Sequence, residues 1–467
     1  MAGRADIGAA RDIGSDCSGE GSSVRSRSPE ETIRPVTSGA DRIRPGNTPR
    51  GEIGVRSRPD TCNGAGMTET SGITLRSGTA ADADAVRLLG DISFGVLSDP
   101  VESERAHRLF ALENGIVAQE GDRIVGYTAA YQQTLTVPGG HPVQVESIAN
   151  VAVAPTHRRR GILRAMYTEQ HRRTEARGLP LTIFTASQGG IYGRFGYGPS
   201  ICQQHIRFDR RFAQFHSSTP DPGGVQLTSI DEAQRIVPPI YDRWQRVQPG
   251  AQLRPEPAWE AMFADHPRFR GGGTELFALT HPNGYALYRY HRRESGSALE
   301  VVELRAITPD AHAALWRALS TLELFDHIEA VIAPDDPLPY LFTDPRLVHT
   351  TGLGDALWSR IMDVPAALTA RSYDADLDIV VAVHDPFRAA GGVFALRVRE
   401  GRAECAPTTR EADVELGIDV LGSVYLGAHR IRRMAAAQRI RAKEPAVLRD
   451  LDLAFRSDCD PVLGWAF

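Results

Sequence analysis

At 467 residues the chain exceeds one ordinary core, and at roughly 150 residues per domain it predicts about three. Its 42% hydrophobic and 24% charged residues suffice to bury cores of that size. A net charge of -5 offers nucleic acid no basic surface, and neither a run of about 18 apolar residues nor an apolar leader core is present, so a cytoplasmic protein with no nucleic-acid or membrane partner is expected.

Cys17, Cys62, Cys202, Cys405 and Cys459 are odd in number and irregularly spaced, which suggests neither a disulfide framework nor a structural zinc site, and no metal is expected. Residues 1–66 lack Leu, Phe, Tyr, Trp and Lys and are rich in Gly, Ser, Pro and Arg. Such a segment cannot bury enough apolar area to offset the entropy of ordering, so a disordered extension is expected, with Met67 as the natural start.

From residue 73 the pattern alternates. A strand at 73–76, helices at 80–89 and 102–112, and strands at 115–120, 123–135 and 143–153 come first. A long helix from Gly161, a strand at 181–186, a short helix near Gly190 and a strand from Ile201 complete a block at 67–210. Strands interleaved with connecting helices predict an open, mixed α/β sheet. A second block, 211–359, repeats the flavour with strands at 275–279, 284–291 and 298–306 and a helix at 310–322. The third, 360–467, has strands at 379–384 and 392–398 and a helical region around 419–455, which suggests a separate α+β module.

The chemistry concentrates between Asn150 and Tyr197. Val151, Ala152 and Val153 read as a buried strand ended by Pro155, followed by the basic run Arg158, Arg159 and Arg160 and a helix opening at Gly161 with Ile162, Leu163 and Arg164. A strand thus delivers a loop onto a helix N-terminus, whose free N–H groups and positive dipole end suit a pyrophosphate, while Gly161 lets the ligand approach the main chain. An isolated Arg triplet would more often be a solvated turn. His157 and His171 read as solvated surface residues.

The run from Arg158 to Leu163 resembles the acetyl-CoA signature of GNAT acetyltransferases, Gln/Arg-x-x-Gly-x-Gly/Ala, with Leu163 in place of the last small residue. Ile191-Tyr192-Gly193-Arg194-Phe195-Gly196-Tyr197 resembles the superfamily's second element, a Tyr-bearing helix followed by a Gly-aromatic turn. The wording of both, with Leu253-Arg254-Pro255, Tyr285 to Arg289, Glu303-Leu304-Arg305-Ala306 and Leu421 to His429, is similar to the enhanced intracellular survival (Eis) branch, from about Met67 to Phe467.

That resemblance implies tandem GNAT-like mixed sheets followed by a sterol-carrier-like domain, a homohexamer, and acetyl transfer from acetyl-CoA to primary amines such as those of aminoglycosides or lysine side chains. It implies that Val151, Ala152 and Val153 contact the acetyl and pantetheine portions, Arg159 through Arg164 the pyrophosphate, and Ser187 and Gln188 the cosubstrate's far side. Tyr192 becomes the general acid and the terminal carboxylate of Phe467 the base. An α-carboxylate ordinarily titrates near about 3.5, so the latter needs burial or a purely orienting role. Ala466 and Val96, the latter in a segment expected to line the acceptor pocket, are not acidic, which weakens aminoglycoside use. The rival reading is a lipid- or small-molecule-binding protein with a degenerate transferase domain. No Gly-x-Ser-x-Gly elbow supports a serine hydrolase.

Overall fold

Alternating apolar and polar residues give long strands, and long strands set the frame of the molecule. In the computed structural model residues 72–293, 296–388 and 391–467 are described; the expected extension and Met67 lie outside them. Ile73–Ser77 (β1), Ile116–Glu120 (β2), Arg123–Val137 (β3) and His141–Val153 (β4) run antiparallel. Gly139 and Gly140, at φ of +91° and +75°, close the turn between β3 and β4 in a conformation that other residues resist.

Leu181–Phe184 (β5), Gly198–Asp209 (β6), Gln226–Thr228 (β7), Phe277–His281 (β8), Gly284–Arg293 (β9), Gly296–Ala306 (β10), His327–Ile332 (β11) and His349–Ile361 (β12) continue the same sheet. Its order is β1-β2-β3-β4-β5-β12-β6-β11-β10-β9-β8-β7, 12 strands in all. β12 was not expected from sequence, because its first half, His349 to Asp355, is polar, Gly-rich and largely exposed, and only Ala356 to Ile361 is buried. It inserts between β5 and β6, and its register against β6 shifts three times. The first two blocks are therefore welded edge to edge, since β6 pairs with β12 on one side and β11 on the other.

The helix Ile230–Gln245 was also missed. Pro238 and Pro239 disfavour a helix interior, yet the helix runs through them with Ala233, Val237, Tyr241 and Trp244 buried, so tertiary packing overrides local propensity.

The third block builds its own sheet from Leu377–His384 (β13), Gly392–Arg399 (β14), Arg402–Pro407 (β15), Val414–Gly417 (β16) and Ile440–Ala442 (β17), in the order β15-β14-β13-β16-β17. The expected helical region at 419–455 is divided into the helices Ile418–Tyr425, Ile431–Ala436 and Pro445–Ala454, with β17 among them. Gly427, at φ +94°, and Pro445 punctuate it. No helix among the described residues is long and apolar enough to cross a membrane.

Candidate active site

The site begins where β4 and β5 part. They pair in parallel only at Glu146 with Thr182 and Ser147 with Ile183. Beyond that point β4 carries a bulge: Tyr127 opposes Ala152 and Ala129 opposes Ala149, so Asn150 and Val151 share the single partner position of Thr128. Asn150 has φ +48°, uncommon for a residue with a side chain, and is exposed. A wedge therefore opens in the middle of the sheet, with main-chain groups of 150–153 released from regular pairing on one side.

On one flank lies the basic loop. Arg159 and Gly161 adopt left-handed conformations, at φ +63° and +80°, and the helix Ile162–Ala176 follows. Its N-terminus has no side-chain cap and no acidic residue in the first turn, so its leading N–H groups and dipole end are available to an anion. Arg158, Arg159, Arg160, Gly161 and Arg164 are exposed. Ile162 is buried and Leu163 packs against the core, which leaves only their main chains for a ligand. The Arg160 side chain is already engaged: its Nη2 donates to Glu120 Oε1 at 2.5 Å while His157 Nε2 meets Glu120 Oε2 at 2.8 Å. The hydrogen bond from the Arg160 guanidinium, followed by the contact with His157, pulls the Glu120 carboxyl down to about 2.

On the other flank is an aromatic cluster. Tyr192 is 7% exposed, its ring 4.3 Å from that of Phe184, 6.2 Å from Tyr167 and 6.5 Å from Trp358. Val151 packs against this cluster, whereas Ala152 and Val153 pack on other faces. Among the described residues the Tyr192 hydroxyl makes no hydrogen bond, and burial pushes its pKa upward, so it is protonated at neutral pH. Ser187 and Gln188 are exposed just after β5.

One expectation is corrected here. His171 is not solvated but fully buried, its Nε2 2.9 Å from the Tyr197 hydroxyl, which also accepts from Thr182 Oγ1 at 2.9 Å. Burial, reinforced by Arg360 and Arg388, holds the imidazole neutral. Sequence periodicity places His171 on the same face as Tyr167, i and i+4, a signal that reading it as surface overlooked. His157 is half-buried against Glu120.

The last residues of the chain reach the wedge from the far side. Phe467 O accepts from Thr185 Oγ1, immediately after β5, at 3.0 Å, and its ring lies 5.4 Å from that of Trp465. The preceding segment is clamped. Gly464 N donates to Gln252 Oε1 at 3.0 Å, Gly464 O accepts from Arg254 Nη2 at 2.8 Å, and Trp465 Nε1 donates to Leu253 O at 3.2 Å. Arg254 is itself held by a buried ion pair with Glu303 at 2.6 Å and by the faces of Tyr241 and Trp259. The Leu253-Arg254-Pro255 and Glu303-Leu304-Arg305 motifs, which the sequence marks only as part of the family resemblance, thus grip the tail.

A cavity of about 1010 Å³ adjoins the wedge, with Asn150 and Phe467 in its wall. Glu102 and Asp265 line one part of it and Asp335, Asp336 and Asp460 another. The segment Ser93 to Val96 was expected in this lining; Glu102, Arg105 and Ala106 are there instead. Among the described residues Glu102 and Asp265 are paired with Arg268 and Arg289, whereas Asp335 and Asp460 form no ion pair.

Comparison with known proteins identifies the domains that carry this geometry. Residues 74–200 match an acetyltransferase (GNAT) domain, 250–398 a second acetyltransferase (GNAT) domain, and 364–464 a sterol carrier protein domain. The chain is 46% identical over 398 residues to N-acetyltransferase Eis of Mycobacterium tuberculosis (strain CDC 1551 / Oshkosh), covering 83% of this chain and 97% of that protein. Among solved structures it is similar to Eis1 from Mycobacterium abscessus, at 30% identity and TM-score 0.76, covering 85% of this chain and all of that one. A GCN5-related N-acetyltransferase from Anabaena variabilis, at 19% identity and TM-score 0.73 over 85% of this chain and all of that one, shares the fold. The GNAT fold implies acetyl-CoA as the donor. A bulged, splayed strand pair, a basic loop on an uncapped helix and relatedness over most of its length make this chain a member of the Eis family of GNAT N-acetyltransferases, with two GNAT domains and a C-terminal sterol-carrier-like domain.

Proposed function

We propose that the chain acetylates primary amines by direct attack on acetyl-CoA bound in the wedge between β4 and β5. The observation that carries this reading is the wedge itself, flanked by the Arg158 to Gly161 loop on one side and by Tyr192 and the Phe467 end on the other. In this reading residues 67–210 are the catalytic unit, 211–359 the second GNAT region and 360–467 the sterol-carrier-like unit.

Amide formation from a thioester needs a neutral amine, stabilisation of the tetrahedral oxyanion and a proton for the leaving thiolate. Val151, Ala152 and Val153 supply main-chain N–H groups where the bulge disturbs pairing, suited to the oxyanion. The pyrophosphate sits on the main chain of Arg159 through Leu163, with the exposed Arg159 and Arg164 side chains, neither in an ion pair among the described residues, adding charge; Arg160 contributes mainly through its amide, its side chain being held by Glu120. Ser187 and Gln188 border the cosubstrate's far side. Tyr192, kept protonated by burial and with no competing acceptor among the described residues, protonates the departing sulfur. The Phe467 carboxylate orients the amine or takes its proton.

The unpaired carboxyl groups of Asp335 and Asp460 favour acceptors that carry a second cationic group, as aminoglycosides do, or a lysine side chain. A homohexamer is taken from the family resemblance, and light scattering of the full chain tests it.

The reading is tested by Tyr192→Phe in a thiol-release assay over a panel of amines. Turnover should fall by roughly 10² to 10⁴ while acetyl-CoA affinity stays near normal. Unchanged kcat would assign the proton to another group.

A further inference from the structure

One aromatic side chain of the sterol-carrier-like unit sits on the donor site of the first GNAT unit. Phe387 follows β13, and its ring lies 5.1 Å beneath the Arg164 guanidinium carbon. Its edge meets Phe195 at 5.1 Å, in the turn after Tyr192, and His171 at 5.5 Å, on the Ile162–Ala176 helix. Phe195 in turn stacks on Tyr167 at 4.8 Å.

The loop that presents this ring is built, not draped. Asp385, buried, accepts from Phe387 N at 3.2 Å and Arg388 N at 3.3 Å, and pairs with the buried Arg360 of β12. Arg360 Nη1 also donates to Phe195 O at 2.9 Å. Arg388 Nε donates to Glu175 Oε1 at 2.8 Å and its Nη1 to Thr168 O at 3.2 Å, both on the donor-site helix. The loop is fixed from three sides, and its position decides where the Arg164 guanidinium rests.

We propose that Phe387 is a positioning residue for the donor: its ring holds the Arg164 side chain at the mouth of the pyrophosphate site, so that the sterol-carrier-like unit takes part in acetyl-CoA binding. An Arg carries many rotamers, and fixing one in advance lowers the entropy lost when the phosphates bind. A guanidinium over an aromatic face stays charged and keeps its N–H groups pointing outward to a ligand. The inference rests on the proposed donor site at Arg159 through Arg164.

The test is a cycle in the full chain with Phe387→Leu, Arg164→Ala and the double variant, reading acetyl-CoA KM, its dissociation constant by calorimetry, and kcat. Phe387→Leu should raise both KM and the dissociation constant roughly three- to tenfold, the size of a partly desolvated cation–π contact, with kcat at saturating donor changed far less. In the Arg164→Ala background the same substitution should add nothing further, because the two act as a unit. Phe387→Tyr keeps the ring and should keep the wild-type KM. If Phe387→Leu does not fold, Phe387→Met carries the same measurement.

Fully additive losses in the double variant, or an unchanged KM in Phe387→Leu, would overturn the proposal and leave Phe387 as packing. A normal KM in Arg164→Ala would instead remove the donor-site reading on which it rests.

Discussion

The sequence left Asp460 unremarked, yet its surroundings give it a measurable signature. Burial, followed by the nearby Asp335 carboxyl and opposed by Arg430, pushes its pKa from 3.8 up to about 6, while its main-chain N donates to Asp335 Oδ2 at 2.7 Å. Between those two values the folded chain holds a proton that the unfolded chain has released, so the stabilising contribution is complete below about pH 4 and is lost as pH rises through 6. Asp460→Asn should flatten that loss and raise stability at pH 7 by on the order of 1 kcal/mol, discounted for partial exposure, with little change at pH 4. Urea midpoints at the two pH values check it, and an equal shift at both would assign the effect to packing. The same substitution removes one of the two unpaired carboxyl groups of the cavity, so KM for polycationic amines should rise in parallel.

Elements dock here through glycine. A Cβ on Gly198, at the start of β6, would lie 2.1 Å from Asp419 O, and one on Gly422 would lie 2.5 Å from Ser359 O on β12. Both residues let the helix Ile418–Tyr425 approach the large sheet, where Ser359 Oγ donates to Gly422 O at 3.0 Å. Gly198→Ala must push the Asp419 main chain as well as the Ser423 side chain, and should cost about 1–3 kcal/mol in chemical denaturation; a neutral result would mean that the helix is free to move. This close contact explains what the sequence could and could not show. β2, β3, β4 and the Gly161 helix were legible because each has a clean period and a marked end, and with them the basic loop that precedes the helix. β12 was not, since its polar first half gives no alternation and its place between β5 and β6 depends on partners far along the chain. Tyr192 stands out in the sequence through a motif, and His171 through its i, i+4 spacing from Tyr167, whereas Phe387 gains meaning only from contacts between units.

At the scale of the molecule, the three units converge on one short tail. Val462 N donates to Pro249 O at 2.9 Å, Gly464 is held by Gln252 and Arg254, Arg305 Nη2 donates to Leu463 O at 3.0 Å, and Phe467 packs against apolar clusters of all three parts. The anchor is costly to disturb, because removing either member of the buried Arg254 and Glu303 pair would strand a charge, typically at about 3–5 kcal/mol. That rigidity separates packing from charge at Phe467. Residues appended after Phe467 leave every clamp contact possible, yet convert the carboxylate at Thr185 into a peptide group. If the carboxylate orients or deprotonates the amine, the extended chain should lose at least roughly tenfold in kcat while its melting temperature and acetyl-CoA affinity stay near those of the unextended one. A combined fall in melting temperature and affinity would show that the tail itself had been dislodged. An extended chain that acetylates at the original rate would take Phe467 out of the mechanism and leave water as the proton acceptor beside Tyr192.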